Sequence, residues 1–151
     1  MSRRARAMVA VGGAAILCLS LFTAGVIGKP KDQRVGTSTQ VESSKIVKGK
    51  KSVIVTGELQ SGAPRCERQR SVLLYEAGPT GDFRGGAIGH GVSQGGAQRG
   101  QFTITGIAPK KITPNRKFRL EAVGRTVKVK GVQIICKRGV SVLFPGNFNQ
   151  P

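Results

Sequence analysis

From Lys45 onward, apolar and polar residues alternate with a period of two along much of the chain. In Ser52–Leu59, Val53, Val55 and Leu59 fall on one side and Ser52, Thr56 and Glu58 on the other, with Ile54 interrupting the polar face. Successive side chains of an extended strand point to opposite faces, so this spacing predicts a half-buried strand. Gln101–Thr105 repeats the pattern with Phe102 and Ile104 inward, and Lys117–Ala122 does so with Phe118, Leu120 and Ala122 inward. Thr126–Lys130 sets Val127 and Val129 against Lys128 and Lys130. Val72–Tyr75 is apolar on both faces, which predicts a strand central in its sheet. Val132–Ile135 and Val140–Phe144 complete the set. Asp82–Gly100 carries Phe83 and Ile88 among Gly85, Gly86, Gly89, Gly91, Gly95 and Gly96. A weak strand over Ala87–Val92 followed by a mobile loop is expected there. Glycine costs backbone entropy and packs no side chain, so this edge is expected to be the loosest part of the fold.

Turn-forming clusters at Lys48–Lys51, Ser61–Pro64, Ala77–Gly81 and Pro145–Gly146 separate these segments. No amphipathic helix of useful length is evident. The pattern predicts an all-β fold, a single antiparallel β-sandwich of about seven strands spanning residues 45–146. Residues 29–44 are polar and read as a flexible linker, and 147–151 as a frayed tail.

Ahead of the linker, Arg3, Arg4 and Arg6 precede an uncharged, largely apolar run from Met8 to Gly28. A basic flank followed by an apolar run predicts an N-terminal hydrophobic export helix over 1–28. Thr23, Ala24, Gly25 and Gly28 allow cleavage after Gly25 or Gly28, but about 20 apolar residues also suffice to span a bilayer. Both a cleaved signal peptide and an uncleaved anchor are therefore open, and in either case the positive-inside rule sends the remainder across the membrane. Leu17 precedes Cys18 where a lipidation site calls for a small residue, so Cys18 reads as part of the apolar run. The expected location is secreted or extracytoplasmic.

Composition sharpens this reading. The chain has 22 glycines, six phenylalanines and no tryptophan, so its core rests on Val, Ile and Leu, and a covalent staple would matter. Outside the leader, Cys66 and Cys136 stand 70 residues apart. In an exported domain such a pair reads as a disulfide. The net charge is +18, and discounting Arg3, Arg4 and Arg6 leaves 22 basic and 7 acidic residues, a net +15.

The order of features resembles the transthyretin-like (prealbumin-like) or carboxypeptidase-regulatory-like β-sandwich domains of exported bacterial proteins. Val53-Ile-Val-Thr-Gly57 is similar to their first strand. Cys66-Glu-Arg-Gln-Arg-Ser-Val-Leu-Leu-Tyr75 is similar to a second-strand pattern Cys-x3-Arg-x-Val-x-Leu-Tyr. Arg99-Gly-Gln-Phe-Thr-Ile104 and Phe118-Arg-Leu-Glu-Ala122 resemble the strands that follow, and Cys136 sits where such domains place a second cysteine. The resemblance covers residues 45–145 and implies spacers, adhesive parts or recognition accessories rather than enzymes.

Catalytic chemistry has little to draw on. His90 is the single histidine and lies between Gly89 and Gly91, without the several His, Cys or carboxylate partners a zinc site needs. A serine triad would have to join His90 to Asp82 or Asp32, and no Gly-x-Ser-x-Gly elbow is present. Nothing pairs two of Glu58, Glu67, Glu76, Asp82 and Glu121, and Gln94 stands where a dinucleotide loop would place its third glycine. Neither an enzymatic activity nor a cofactor or metal is expected.

Binding is the remaining class. Arg116, Lys117, Arg119, Arg125, Lys128, Lys130, Lys137 and Arg138 gather toward the C-terminal strands. They form a candidate surface for anionic polymers, or outward charges that keep strands from pairing with other chains. Aromatic side chains are not interleaved with them, so stacking on single-stranded nucleic acid has no platform. The expected role is structural or adhesive at the cell envelope, with anionic cell-wall or membrane polymers as partner. The alternative is a secreted binding module for a specific protein or carbohydrate.

Overall fold

The alternating segments become strands, and a computed structural model of the chain describes them through residues 32–47, 51–78, 80–113 and 115–149. The expected export helix, residues 1–28, and most of the Lys48–Lys51 turn lie outside the described residues. No helix among the described residues is long and apolar enough to cross a membrane.

Twelve strand segments form among the described residues: β1 (Gln33–Val35), β2 (Thr37–Ile46), β3 (Ser52–Ser61), β4 (Ser71–Ala77), β5 (Phe83–Val92), β6 (Gln101–Ile107), β7 (Lys117–Ala122), β8 (Arg125–Val129), β9 (Val132–Cys136), β10 (Gly139–Val140), β11 (Phe144–Pro145) and β12 (Phe148–Asn149). They make a four-stranded sheet in the order β12-β2-β3-β6, a five-stranded sheet β10-β7-β4-β5 with β11 also on β7, and a three-stranded sheet β1-β9-β8. The four- and five-stranded sheets face each other over the main core. Val53, Val55, Leu59, Phe102 and Ile104 from one meet Val72, Leu74, Phe118, Leu120 and Ala122 from the other. These are the inward positions that the alternation marks, and β4 is flanked on both sides, by β5 and β7. Burying each of the larger aliphatic or aromatic side chains contributes about 1.5–3 kcal/mol.

The fold is all-β, as the pattern predicts, but the strand count and several boundaries differ. The segment expected to be a linker supplies β1 and β2. Along β2 the inward positions include Thr39 and Ser44, both buried, so its period of two carries no run of apolar residues. The Ser44 hydroxyl is satisfied inside by donating to the Pro145 carbonyl at 2.7 Å. The expected frayed tail supplies β12, where Phe148 packs against the core and the Asn147 side-chain oxygen accepts from the Ile46 amide at 2.9 Å. The expected final strand is two short pieces on β7, β10 and β11, separated at Ser141. There the Ser141 amide donates to the Leu120 carbonyl, while its hydroxyl accepts from the Leu120 amide at 2.9 Å.

Among the described residues the pairing is antiparallel with one exception. β1 runs parallel to β9, a geometry open to two strands separated by a long crossover. Val35 gains burial from it, joining Ala63, Cys66 and Cys136 in a second small core. Cys66 and Cys136 are bonded to each other in that core, with Cα atoms 5.5 Å apart.

The first half of the glycine-rich stretch, Phe83–Val92, is a full strand, longer than expected, and a loop with a short 3-10 turn at Gly96–Gln98 follows it. Gly85 and Gly86 sit in an exposed bulge, where β5 shifts register against β4 between Leu74 and Glu76. Gly89 and Gly91 instead lie against β6. A Cβ at Gly89 would stand 2.9 Å from the Gly106 Cα, and one at Gly91 would stand 2.6 Å from Ile104 Cγ1. At these two positions the missing side chain seals one long edge of the sandwich rather than loosening it.

Candidate functional site

The small sheet carries an open cationic surface. Residues paired across a ladder share a face, so Val35, Cys136, Ile134 and Val127 turn toward the disulfide core. Arg34, Ile135, Thr126, Gln133 and Lys128 turn the other way. The three strands contain no Asp or Glu. Arg34 and Lys128 are exposed, on strands separated by two ladder spacings, about 9.5 Å.

At the tip, the two-residue connection Lys130–Gly131 joins β8 to β9 directly after the Val129–Val132 pair. Both turn residues have positive φ, 46° and 81°, the combination that matches the twist of a tight hairpin. For a residue with a Cβ this conformation costs about 1–2 kcal/mol. The turn therefore holds an exposed lysine where asparagine or glycine would fit with less strain.

The eight basic residues named from the sequence divide into two groups. Arg116 pairs with Glu76 at 3.3 Å, and Arg138 pairs with Glu121 at 2.8 Å while lying over the Phe83 ring. Arg119 donates to the Gly81 carbonyl. Arg125 donates to the Gln69 and Arg65 carbonyls at 2.9 and 2.7 Å, fastening β8 to the loop before β4. These four serve the fold. Lys117, Lys128, Lys130 and Lys137 are exposed, but Lys117 is on β7, in another sheet. The surface is thus narrower than the sequence suggests, and it includes Arg34, which lies within the expected linker. Only the parallel pairing of β1 brings Arg34 beside β9, and local pattern carries no signal for that.

Arg70 holds this sheet to the sandwich. It is 1% exposed. Its Nε donates to the Val123 carbonyl at 2.7 Å, Nη1 to the Cys66 carbonyl at 3.1 Å and to the Thr37 hydroxyl, and Nη2 to the Lys137 carbonyl. Its backbone amide donates to the Ser93 hydroxyl. Burial, and after it the charge of Arg125, hold the guanidinium below its ordinary value. All four side-chain partners are neutral oxygens, one from each segment that meets at the base of the small sheet. The sequence pattern marks Cys66–Arg70 only as a polar approach to the next strand. The one hint is that Arg70 occupies the arginine of the Cys-x3-Arg pattern.

His90 is exposed on β5, paired in register with Leu73. No group of three or more His, Cys, Asp and Glu residues among the described residues could hold a metal ion. No family model matches the chain, and no curated protein matches it.

Proposed function

We propose that the chain is an exported, non-enzymatic β-sandwich module of the transthyretin-like kind, with a structural or adhesive role at the cell envelope. In this reading its three-stranded sheet contacts anionic wall or membrane polymers. The observation that carries it is the β8–β9 hairpin: Lys128 on the outer face, Lys130 held at positive φ at the tip, Arg34 two strands away, and no carboxylate in the three strands. A residue kept in a costly backbone conformation points to a role for its side chain. The disulfide fits an oxidising, extracytoplasmic compartment.

The magnitude is that of a weak contact. A cationic side chain near an anionic surface contributes about 1 kcal/mol, so Arg34, Lys128, Lys130 and Lys137 together supply about 4 kcal/mol, a millimolar affinity for one module. Avidity on a polymer would raise it. The test is retention on a polyanion-coated surface as a function of ionic strength. Retention should fall steeply with salt, and Lys128→Glu with Lys130→Glu should lower affinity at least about tenfold, whereas Lys117→Glu on β7 should change it little. Retention indifferent to both salt and the double reversal would sink this reading.

A further inference from the structure

The sandwich is sealed unequally along its two long edges. Gly89 and Gly91 let β5 lie against β6 on one side. On the other side the run from Gly139 to Asn149 crosses from β7 to β2, pairing with β7 at residues 139–140 and 144–145 and with β2 at Ser43 and Ser44. Between this run and the first half of β2 lies a groove of about 450 Å³. That volume falls in the range of small-molecule sites, roughly 300–1,000 Å³.

Its two walls differ in chemistry. The wall formed by the crossing run is apolar. Phe144 and Phe148 reach into the core, while Val140 and Val142 stand at the lip, 40% and 79% exposed. The opposite wall, from β2 with Gln60 of β3, is uncharged and sets Ser38, Thr39, Gln40 and Gln60 beside the apolar Val41. Gln60 donates to the side-chain oxygen of Gln40 at 3.0 Å at the rim. Thr39, which lines the same wall, is 7% exposed, and its Oγ1 has no hydrogen-bond partner among the described residues. A buried hydroxyl without a partner is disfavoured, and a ligand that supplies one relieves it. None of the described residues lining the groove is charged, in a chain whose net charge is +18.

We propose that this groove binds a neutral amphiphile, a single aliphatic chain bearing an uncharged hydroxyl or ester group. The chain covers Val140, Val142 and Phe144, and the polar group faces Thr39, while the Gln40–Gln60 pair, on the other face of the sheet, borders the rim. The absence of charge on either wall selects against a carboxylate or phosphate at the buried end. This site is separate from the cationic sheet, and its binding should be insensitive to salt.

The experiment is fluorescence titration of the full chain with N-phenyl-1-naphthylamine, an uncharged apolar dye, followed by displacement with a monoacylglycerol and with the fatty acid of equal chain length. Saturable binding is expected, with the monoacylglycerol displacing the dye at about tenfold lower concentration than the fatty acid. Val142→Glu removes an exposed side chain, so it should leave the melting temperature nearly unchanged while weakening dye binding about tenfold. Thr39→Val keeps the shape and should weaken monoacylglycerol binding about fivefold while sparing the dye. Dye binding that Val142→Glu leaves intact would overturn the proposal. So would displacement favouring the fatty acid, or a concentration-dependent dimer that Val142→Glu dissociates, which would assign the groove to a second copy of the chain.

Discussion

Arg70 gives the sharpest test of how the small sheet is held. Replacing it with methionine keeps an unbranched side chain of similar length and removes every donor. The Val123, Cys66 and Lys137 carbonyls and the Thr37 hydroxyl then lose their partner in a buried site. Hydrogen bonds to a charged group contribute about 1.5–3 kcal/mol each, so the gross loss is roughly 6–12 kcal/mol. Against it stands the desolvation of the buried guanidinium, several kcal/mol that the methionine variant no longer bears. The net expectation is a destabilisation of about 4 kcal/mol, read by urea denaturation as a lower midpoint at unchanged slope. Arg70→Lys keeps the charge with fewer, differently placed donors and should lose about 2 kcal/mol.

Two further readouts follow from the same geometry. Hydrogen exchange should show β8 and β9 amides losing protection before those of β3 and β4, because the four partners meet at the base of the small sheet. The pH dependence has a defined sign. The folded value of Arg70 lies below its unfolded value, so the unfolded state binds more protons between the two and stability rises with pH there. Below that alkaline window the cost of the buried charge is constant. Arginine keeps its proton through the neutral range, so the difference between wild type and Arg70→Met should not change from about pH 5 to 9. A methionine variant within about 1 kcal/mol of wild type, or exchange that accelerates evenly across all three sheets, would refute the assignment of Arg70 as the tie.

Other perturbations separate the remaining elements. Cys66→Ser with Cys136→Ser opens a loop with sequence separation 70 and should cost about 4 kcal/mol, seen as a lower melting temperature that reductant does not depress further. Gly91→Ala should destabilise by about 1–3 kcal/mol, since its Cβ would meet Ile104 Cγ1 at 2.6 Å and the Thr103 carbonyl at 3.1 Å. Gly86→Ala, with nothing within 4 Å, should stay within about 0.5 kcal/mol of wild type in the same melt.

What the sequence determined by itself was local. Alternation identifies Phe102, Ile104, Phe118, Leu120 and Ala122 as inward, and all five are buried. Two cysteines outside the N-terminal apolar run identify the staple that forms. These features are legible because a strand's period and a disulfide's chemistry need no knowledge of neighbours. The tertiary structure decided the rest. Thr39 and Ser44 hide β2 from any hydrophobic pattern, because what makes them inward is the sheet opposite. Gly89 and Gly91 resemble loop residues until β6 is laid against them. Arg116, Arg119, Arg125 and Arg138 look like free surface charge until their partners arrive from distant segments. Arg34 and Lys128 share a face because β1 pairs in parallel with a strand near the other end of the chain. In each case the deciding contact spans a long stretch of sequence, and periodicity reports only which way a side chain turns, not what it meets.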